Sequence, residues 1–370
     1  MYLKKLNLKN FRNYDNLDIK LNKNINIIYG NNAQGKTNLL ESIYVLSMAR
    51  SHQFSIDNNL IKYGKEKCKV KGIVEDNKIN TTLEISFSDK NKNLKIDNNE
   101  IKKVGNYITS MFSTIIFYPE DLEIIKGSPQ ERRNFINLEL SQISNNYYKI
   151  LTEYNKLLKI RNNLFKKSKI DEAYFNIITK SLIEKAVIIY KMRYKFINEI
   201  NQECGKIFYS FTKNKNFKLK YEPNIEIDNF ETDYLKNKLI DKFNKNYEKE
   251  IKALTTLYGP HRDEVIFLLD NKNIKEFGSQ GQQRVAILSV KLSEINIFRK
   301  YKKVNPILLL DDVFSELDDI KKNNLIKYLK NDNQVVITTT DLKRINKKTL
   351  GQASVFKIKE GKIIRMEEFE

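Results

Sequence analysis

Residues 25–40 read INIIYGNNAQGKTNLL, and the rest of the chain is organised around them. Ile25 to Tyr29 alternates and is β-branched, which reads as a short buried strand. Gly30 to Thr37 then fits G-x-x-x-x-G-K-T, and Leu39, Leu40, Ile43, Tyr44 and Leu46 follow with helical spacing. Strand, glycine loop and helix in that order are the context a phosphate-binding loop requires. Gly30 and Gly35 let the loop through Asn31, Asn32, Ala33 and Gln34 curl its N–H groups around an anion. The positive end of the helix, with Asn38 in its first turn, adds to that attraction. Lys36 is expected to neutralise β- and γ-phosphates, and Thr37 to place its hydroxyl on Mg²⁺. The bland alternative is a glycine turn before an ordinary helix; pattern and context together favour a nucleoside triphosphate.

Outward from this loop, 370 residues leave room for two or three compact units. No apolar run approaches the roughly 18–20 residues that span a bilayer. The opening MYLKKLNLKNF alternates like a strand and lacks a signal peptide's apolar core. Cys68 and Cys204 form neither a disulfide framework nor a metal-ligand spacing. A cytoplasmic protein without a membrane partner is expected. The net charge of +20 favours polyanions, DNA above all, although the Lys-, Asn- and Ile-rich composition also suggests an AT-rich coding bias.

Further strands are expected at 2–8, 17–21, 67–75, 81–87, 94–96 and 113–118. Lys67, Lys69 and Lys71 share one strand face, as a phosphate-contacting stripe or, more simply, a solvated surface. From Ile136 the apolar residues fall at 140, 143, 147, 150, 154 and 157, a heptad seam. After a polar break near 168–171, with Asp171 as a helix cap, Phe175 to Ile200 carries a second apolar face. Two helices of roughly 35 residues would form an antiparallel hairpin about 50 Å long. That hairpin is either a projecting arm or one more packed helical subdomain. Residues 210–250 are polar and poorly periodic, and no element is assigned there. A strand at 264–269, a long helix from Ser279, strands at 306–310 and 335–339, and a hairpin around Gly361 complete an α/β chain. The expected organisation is a lobe at 1–135, a helical arm at 136–255 and a returning lobe at 256–370.

Residues 307–318 read ILLLDDVFSELD. An aliphatic strand ending on an acid supplies the Mg²⁺-side carboxylate of a P-loop enzyme, here Asp311, and Asp312 would polarise the attacking water. A buried strand seldom ends on two carboxylates without a cation nearby. Ser279-Gln280-Gly281-Gln282 opens a helix and makes an anion site from hydroxyl, N–H groups and dipole.

Loop, acidic strand and Ser-x-Gly helix together resemble the ATP-binding cassette head. In that resemblance Ser279, Gly281 and Gln282 complete the ATP site of a second subunit. Ser315-Glu316-Leu317-Asp318 stands as the dimer-facing loop, and Thr338 to Asp341 as the switch. The coupling loop at 117–122 lacks Gln, leaving Glu120 as the candidate. The chain between Lys36 and Ser279 is too long for a plain transporter ATPase and too short for SMC rods. LKNFRNYDNLDIKLN, GNNAQGKTNLLESIYVLS, ARSH, FYPEDLEIIKGSPQERRNFINLEL, YGPHRDE, GSQGQQR and LLLDDVFSELD resemble the RecF family of bacterial replication and repair proteins. The resemblance implies a two-lobed cassette ATPase with a short arm, ATP and Mg²⁺ as cofactors, and an ATP-dependent homodimer. It also implies slow hydrolysis as a reset, DNA binding at gaps and junctions near the nucleoid, and cooperation with RecR and RecO in loading RecA. Arg132, Arg133, His261 and Arg262 lie in the same motifs, either tying the arm's roots or contacting DNA or nucleotide. An SMC-like chromosome organiser and, more remotely, a transporter subunit stay open as rivals.

Overall fold

A computed structural model describes residues 1–368 apart from 53–56, 90, 111, 316, 330–332 and 346. Two compact units divide it: residues 1–121 with 290–370, and residues 122–289. The expected divisions at 135 and 255 stand beside these. Residues 122–135 and 256–289 therefore group with the arm, because the helix from Pro129 packs on the strand from Glu264.

The first unit opens with β1 (Tyr2–Phe11), β2 (Tyr14–Lys20) and β3 (Ile25–Tyr29), then α1 (Lys36–Met48). β4 (Lys67–Asp76), β5 (Ile79–Ser88), β6 (Lys92–Ile96) and β7 (Asn99–Glu100) follow, with α2 (Val104–Ser110) and β8 (Thr114–Phe117). An antiparallel sheet runs β2-β1-β4-β5-β6-β7. Alternation sets its faces: in β4, Cys68, Val70 and Val74 are buried and the lysines point to the other side. Lys69 there pairs with Glu84 at 2.9 Å, so this part of the lysine stripe is already compensated. α1 packs against β1, β4 and β5 of this sheet and against β8 of a second. From Leu39 to Met48 every residue of it is buried, and its polar members Glu41, Ser42 and Ser47 are each hydrogen-bonded there.

The second unit holds α3 (Leu122–Lys126), α4 (Pro129–Ile143), α5 (Asn145–Leu164), α6 (Glu172–Thr212), β9 (Phe217–Glu222) and α7 (Thr232–Ala253). β10 (Glu264–Leu269), β11 (Lys272–Asn273) and α8 (Ile274–Phe277) lead into α9 (Gln280–Lys302), which runs on into the first unit. The hairpin is present, yet its first arm is two helices rather than one. Ser144 leaves helical geometry at φ −136° and caps a new start by accepting from the Tyr147 N–H. The second arm is capped by Asp171, as expected, and runs 41 residues. Residues 210–250 contain β9 and most of the 22-residue α7.

α7 is fixed to the hairpin by a buried ion pair. Arg161 donates to Glu250 at 2.7 Å, to Thr256 at 2.8 Å and to Thr179 at 3.0 Å, within reach of the rings of Phe165, Phe175 and Phe243. Both members are fully buried. Glu250→Ala leaves the guanidinium without a counter-charge, and the expected loss is about 3–5 kcal/mol. Denaturant unfolding would measure it; a loss under about 1 kcal/mol would show that water reaches this pair.

β12 (Ile307–Asp311), α10 (Asp319–Leu329), β13 (Val335–Thr339), α11 (Lys347–Leu350), β14 (Ala353–Lys359) and β15 (Lys362–Glu368) return the chain to the first unit. The second sheet runs β15-β14-β3-β13-β12-β8, parallel except for β15. β12 and β13 are buried at every position, which the uninterrupted aliphatic run at 306–310 predicts for β12. β3 lies between β13 and β14, and β12 ends one strand away. The phosphate loop and the two acids therefore leave the same edge of one sheet, where open α/β sheets bind ligands.

Candidate functional site

The loop after β3 turns on two glycines that have no room for a side chain. At Gly30, φ 156°, a Cβ would sit 2.4 Å from the Ile358 carbonyl oxygen. At Gly35, φ 108°, it would sit 2.5 Å from Asn13 Nδ2. Gly35 is also the N-cap of α1 and brings no capping side chain, which leaves first-turn N–H groups to an anion. Lys36 Nζ donates to the carbonyls of Gly30 and Asn31, both at 2.8 Å. Burial lowers the Lys36 pKa, while Asp311 and Asp312 act to raise it.

Thr37 Oγ1 donates to Asp311 Oδ2 at 2.7 Å, and Thr338 Oγ1 donates to Asp311 Oδ1 at 2.5 Å. Burial pushes the Asp311 carboxyl up, against the hydrogen bonds from Thr338 and Thr37; Glu120 and Asp312 add to the rise. A carboxylate so placed gains from a cation. Asp312 follows in left-handed geometry at φ 48°. Its N–H donates to Thr338 Oγ1 at 3.0 Å, and its Oδ2 accepts from Ser315 Oγ at 3.0 Å. The Thr338 hydroxyl thus positions both acids. Gly35, Lys36, Thr37, Asp311, Asp312 and Thr340 line one cavity of about 320 Å³, at the small end of ligand pockets.

Among the described residues no cluster of three His, Cys, Asp or Glu side chains could hold a metal. Thr37 and Asp311 offer one hydroxyl and one carboxylate, both hard oxygens. That set fits Mg²⁺, which binds through one or two carboxylates and takes its other oxygens from phosphate and water.

Neighbours that the sequence did not single out brace the loop. Tyr14 donates to the Gly35 carbonyl at 2.9 Å. Asn13 donates to the Gln34 carbonyl at 3.2 Å and accepts from Asn38 at 2.8 Å. Gln34 also takes the N–H groups of Glu360 and Gly361, at 2.7 and 3.1 Å. Arg12 forks onto Glu41 of α1 at 2.8 and 2.9 Å. The only signal for Arg12, Asn13 and Tyr14 was their place in the FRNY stretch.

Ser279, Gly281 and Gln282 belong to the other unit. Ser279 N–H donates to Gln282 Oε1 at 2.8 Å, and Gln282 N–H to Ser279 Oγ at 3.2 Å, a reciprocal capping box. A Cβ on Gly281 would meet nothing within 4 Å. Asp318 caps α10 by accepting from the Lys321 N–H at 2.9 Å and pairs with the Lys321 ammonium, which lowers its pKa. Glu316 lies outside the described residues. Arg132 forks onto Glu264 at 2.6 and 2.7 Å, so for this residue the tie within the arm's root is what the structure contains.

The RecF/RecN/SMC N-terminal domain model matches residues 2–363. The DNA replication and repair protein RecF of Ligilactobacillus salivarius is 40% identical over 375 residues, covering 100% of this chain and 99% of its own. That of Bacillus cytotoxicus is 38% identical over 367 residues, 98% of each. The solved recombination mediator protein RecF-ATP in the RecFOR pathway matches with TM-score 0.91 and 33% identity, over 99% of this chain and 98% of that one. An Smc head bound to the C-winged helix domain of ScpA, at 15% identity and TM-score 0.56, shares the fold alone. With the cassette-type site in place and relatives matching from end to end, the chain belongs to the RecF family of SMC-like ATPases.

Proposed function

We propose that this chain is an ATP-gated DNA-binding ATPase of recombinational repair and replication restart. The observation that carries the reading is the 2.7 Å contact between Thr37 and Asp311 on one cavity with Lys36 and Gly35. The N–H groups from Gly30 to Asn38 hold the phosphates, Lys36 neutralises them, and Thr37 with Asp311 holds Mg²⁺. Mg²⁺, when bound, spreads the charge developing between β- and γ-phosphate. Asp312 orients water. Ser279, Gly281, Gln282 and Asp318 act from a second copy; the open space at Gly281 supports this, since among the described residues no neighbouring element comes within 4 Å of a Cβ placed there. The ATP-driven homodimer binds DNA at gaps and junctions near the nucleoid, and works with RecR and RecO to help load RecA. Hydrolysis resets it. Measuring ATP turnover without DNA, with duplex and with gapped DNA tests the reading; fast turnover indifferent to DNA would sink it.

Asp312 carries one methylene fewer than Glu, so its carboxylate stands back from the water by roughly an ångström, a misplacement that can cost about a hundredfold. Turnover is therefore expected well below the ~10 s⁻¹ median of enzymes. Asp312→Asn should lower hydrolysis a further hundredfold or so by removing the base, keep ATP affinity, and prolong the DNA-bound state. Single-turnover hydrolysis beside DNA dissociation would check this, and an unchanged rate would move the base elsewhere.

Net charge of +20 supports binding that is mainly phosphate contact. DNA affinity should fall linearly on a log–log salt plot, with little preference among scrambled duplexes. Titrations at several salt concentrations decide; a flat line would remove the electrostatic account.

A further inference from the structure

The second unit contains a cavity of about 190 Å³ that has no part in the nucleotide site. It is lined by Arg133 and Asn134 of α4, Asn155 of α5, Arg193 of α6, and His261. Several acceptors in and beside it are already taken. Asp263 Oδ2 accepts from Arg193 at 2.7 Å and from Tyr221 at 2.5 Å, while Oδ1 accepts from the Asn224 N–H at 3.0 Å. Asn137 Oδ1 accepts from Arg193 at 2.9 Å and from Tyr147 at 2.6 Å. His261 Nε2 lies 3.0 Å from the Thr256 carbonyl, which only accepts, so the ring proton is on Nε2 and Nδ1 takes the Tyr154 hydroxyl at 2.6 Å. Burial pushes the His261 pKa down to about 4, helped by Arg262, Arg133 and Arg193, so the ring is neutral near pH 7.

The donors are not used up. Arg133 donates to the Asp263 carbonyl at 2.8 Å and to Gln130 at 3.0 Å, and neither partner is a carboxylate. A guanidinium has five N–H groups, so others remain. Asn134 spends its oxygen on Gln130, at 2.7 Å, and keeps its amide hydrogens. Charge points the same way. Arg132 is matched by Glu264 and Arg193 by Asp263, whereas Arg133, which lines the cavity, has no carboxylate partner among the described residues. The Arg133 pKa is lowered by burial first and then by Arg193, despite Glu264 and Asp263.

We propose that this cavity is a second anion site that takes a phosphate group. Its donors come from three helices, which suits a tetrahedral oxyanion better than a planar carboxylate held by one fork. The surplus guanidinium charge of Arg133 in the lining attracts a phosphomonoester, whose charge at pH 7 is about −1.5 to −2. The cavity is several times a water's ~30 Å³ share and below the ~300 Å³ of drug-sized pockets, so it admits a phosphate and little more. The phosphate is either free, as inorganic phosphate or a mononucleotide, or the 5′ end of a nucleic-acid strand.

The test uses the full chain carrying Lys36→Met, so that phosphate held by the nucleotide loop does not contribute, and a failure of the ATP reading is separate. Calorimetric titration with inorganic phosphate should give saturable binding. Arg133→Gln in that background should weaken it about tenfold or more, by loss of a charge-assisted donor. Asn155→Asp puts a negative charge on an exposed helical position at the same cavity and should do likewise; it remains informative if the Arg133 variant unfolds. No saturable binding, or an affinity that neither change moves, overturns the proposal. A 5′-phosphorylated oligonucleotide against its 5′-hydroxyl twin then separates the sources. Discrimination that depends on Arg133 assigns the strand end and equal binding assigns free phosphate, and both uphold the site.

Discussion

Lys36→Met is expected to lower ATP affinity by about ten- to a hundredfold and to remove the ATP dependence of DNA binding. A charge-assisted contact to phosphate is worth ~1.5–3 kcal/mol, and a Met cannot replace it. The fold should survive. Lys36 is 7% exposed, and its Nζ holds only two loop carbonyls, so the change loses two hydrogen bonds but also relieves a buried charge. These effects oppose one another, and the net change in stability should be small beside the loss of affinity. Melting with and without ATP separates them: ATP should raise the melting temperature of the wild type and leave the variant unmoved. A variant whose ATP response equals the wild type's would refute the phosphate-loop assignment.

Ser279→Arg is expected to block ATP-induced dimerisation and hydrolysis while leaving ATP binding by the monomer nearly unchanged. Ser279 serves two ends. Its oxygen accepts the Gln282 N–H and so caps α9, while its own O–H stays available to donate to a phosphate from another subunit. Arginine removes the cap and adds bulk and charge. Ser279→Ala removes the cap, at about 1 kcal/mol, and the hydroxyl donor without adding bulk or charge, and so separates those losses from the steric and charge block of arginine. Sedimentation with ATP and with ADP should show a dimer only for wild type with ATP, because ADP lacks the bridging phosphate. Wild type that remains monomeric with ATP, or an arginine variant that cannot bind ATP as a monomer, would end the composite-site reading.

The nucleotide loop and the acid pair were legible because their chemistry is local: glycines, a lysine and an aliphatic strand ending in Asp311 sit in short runs. The brace from Asn13, Tyr14 and Gly361 was not, since each contact depends on strands that only the folded sheet brings together. The break at Ser144 hid for a different reason. The apolar spacing of 140, 143, 147 and 150 continues through it, because the capped restart keeps the same face buried. α7 escaped because its buried stripe of Leu235, Leu239 and Phe243 is narrow and continues into Glu250. That residue reads as surface in any apolar count and is buried only because Arg161 meets it. Charge pairing in a core leaves no periodic trace.

The grip of Glu360 on Gln34 joins residues 326 positions apart, and β3 has no parallel neighbour until β13 and β14 exist. At ~5–20 residues per second, a ribosome therefore finishes the glycine loop's setting many seconds after making the loop itself. A half-translated subunit exposes the ATP motif without the strands that shape it. Such a chain is expected to hold nucleotide poorly, because Gln34 has neither Glu360 nor Gly361 to fix it and β3 has no parallel neighbour.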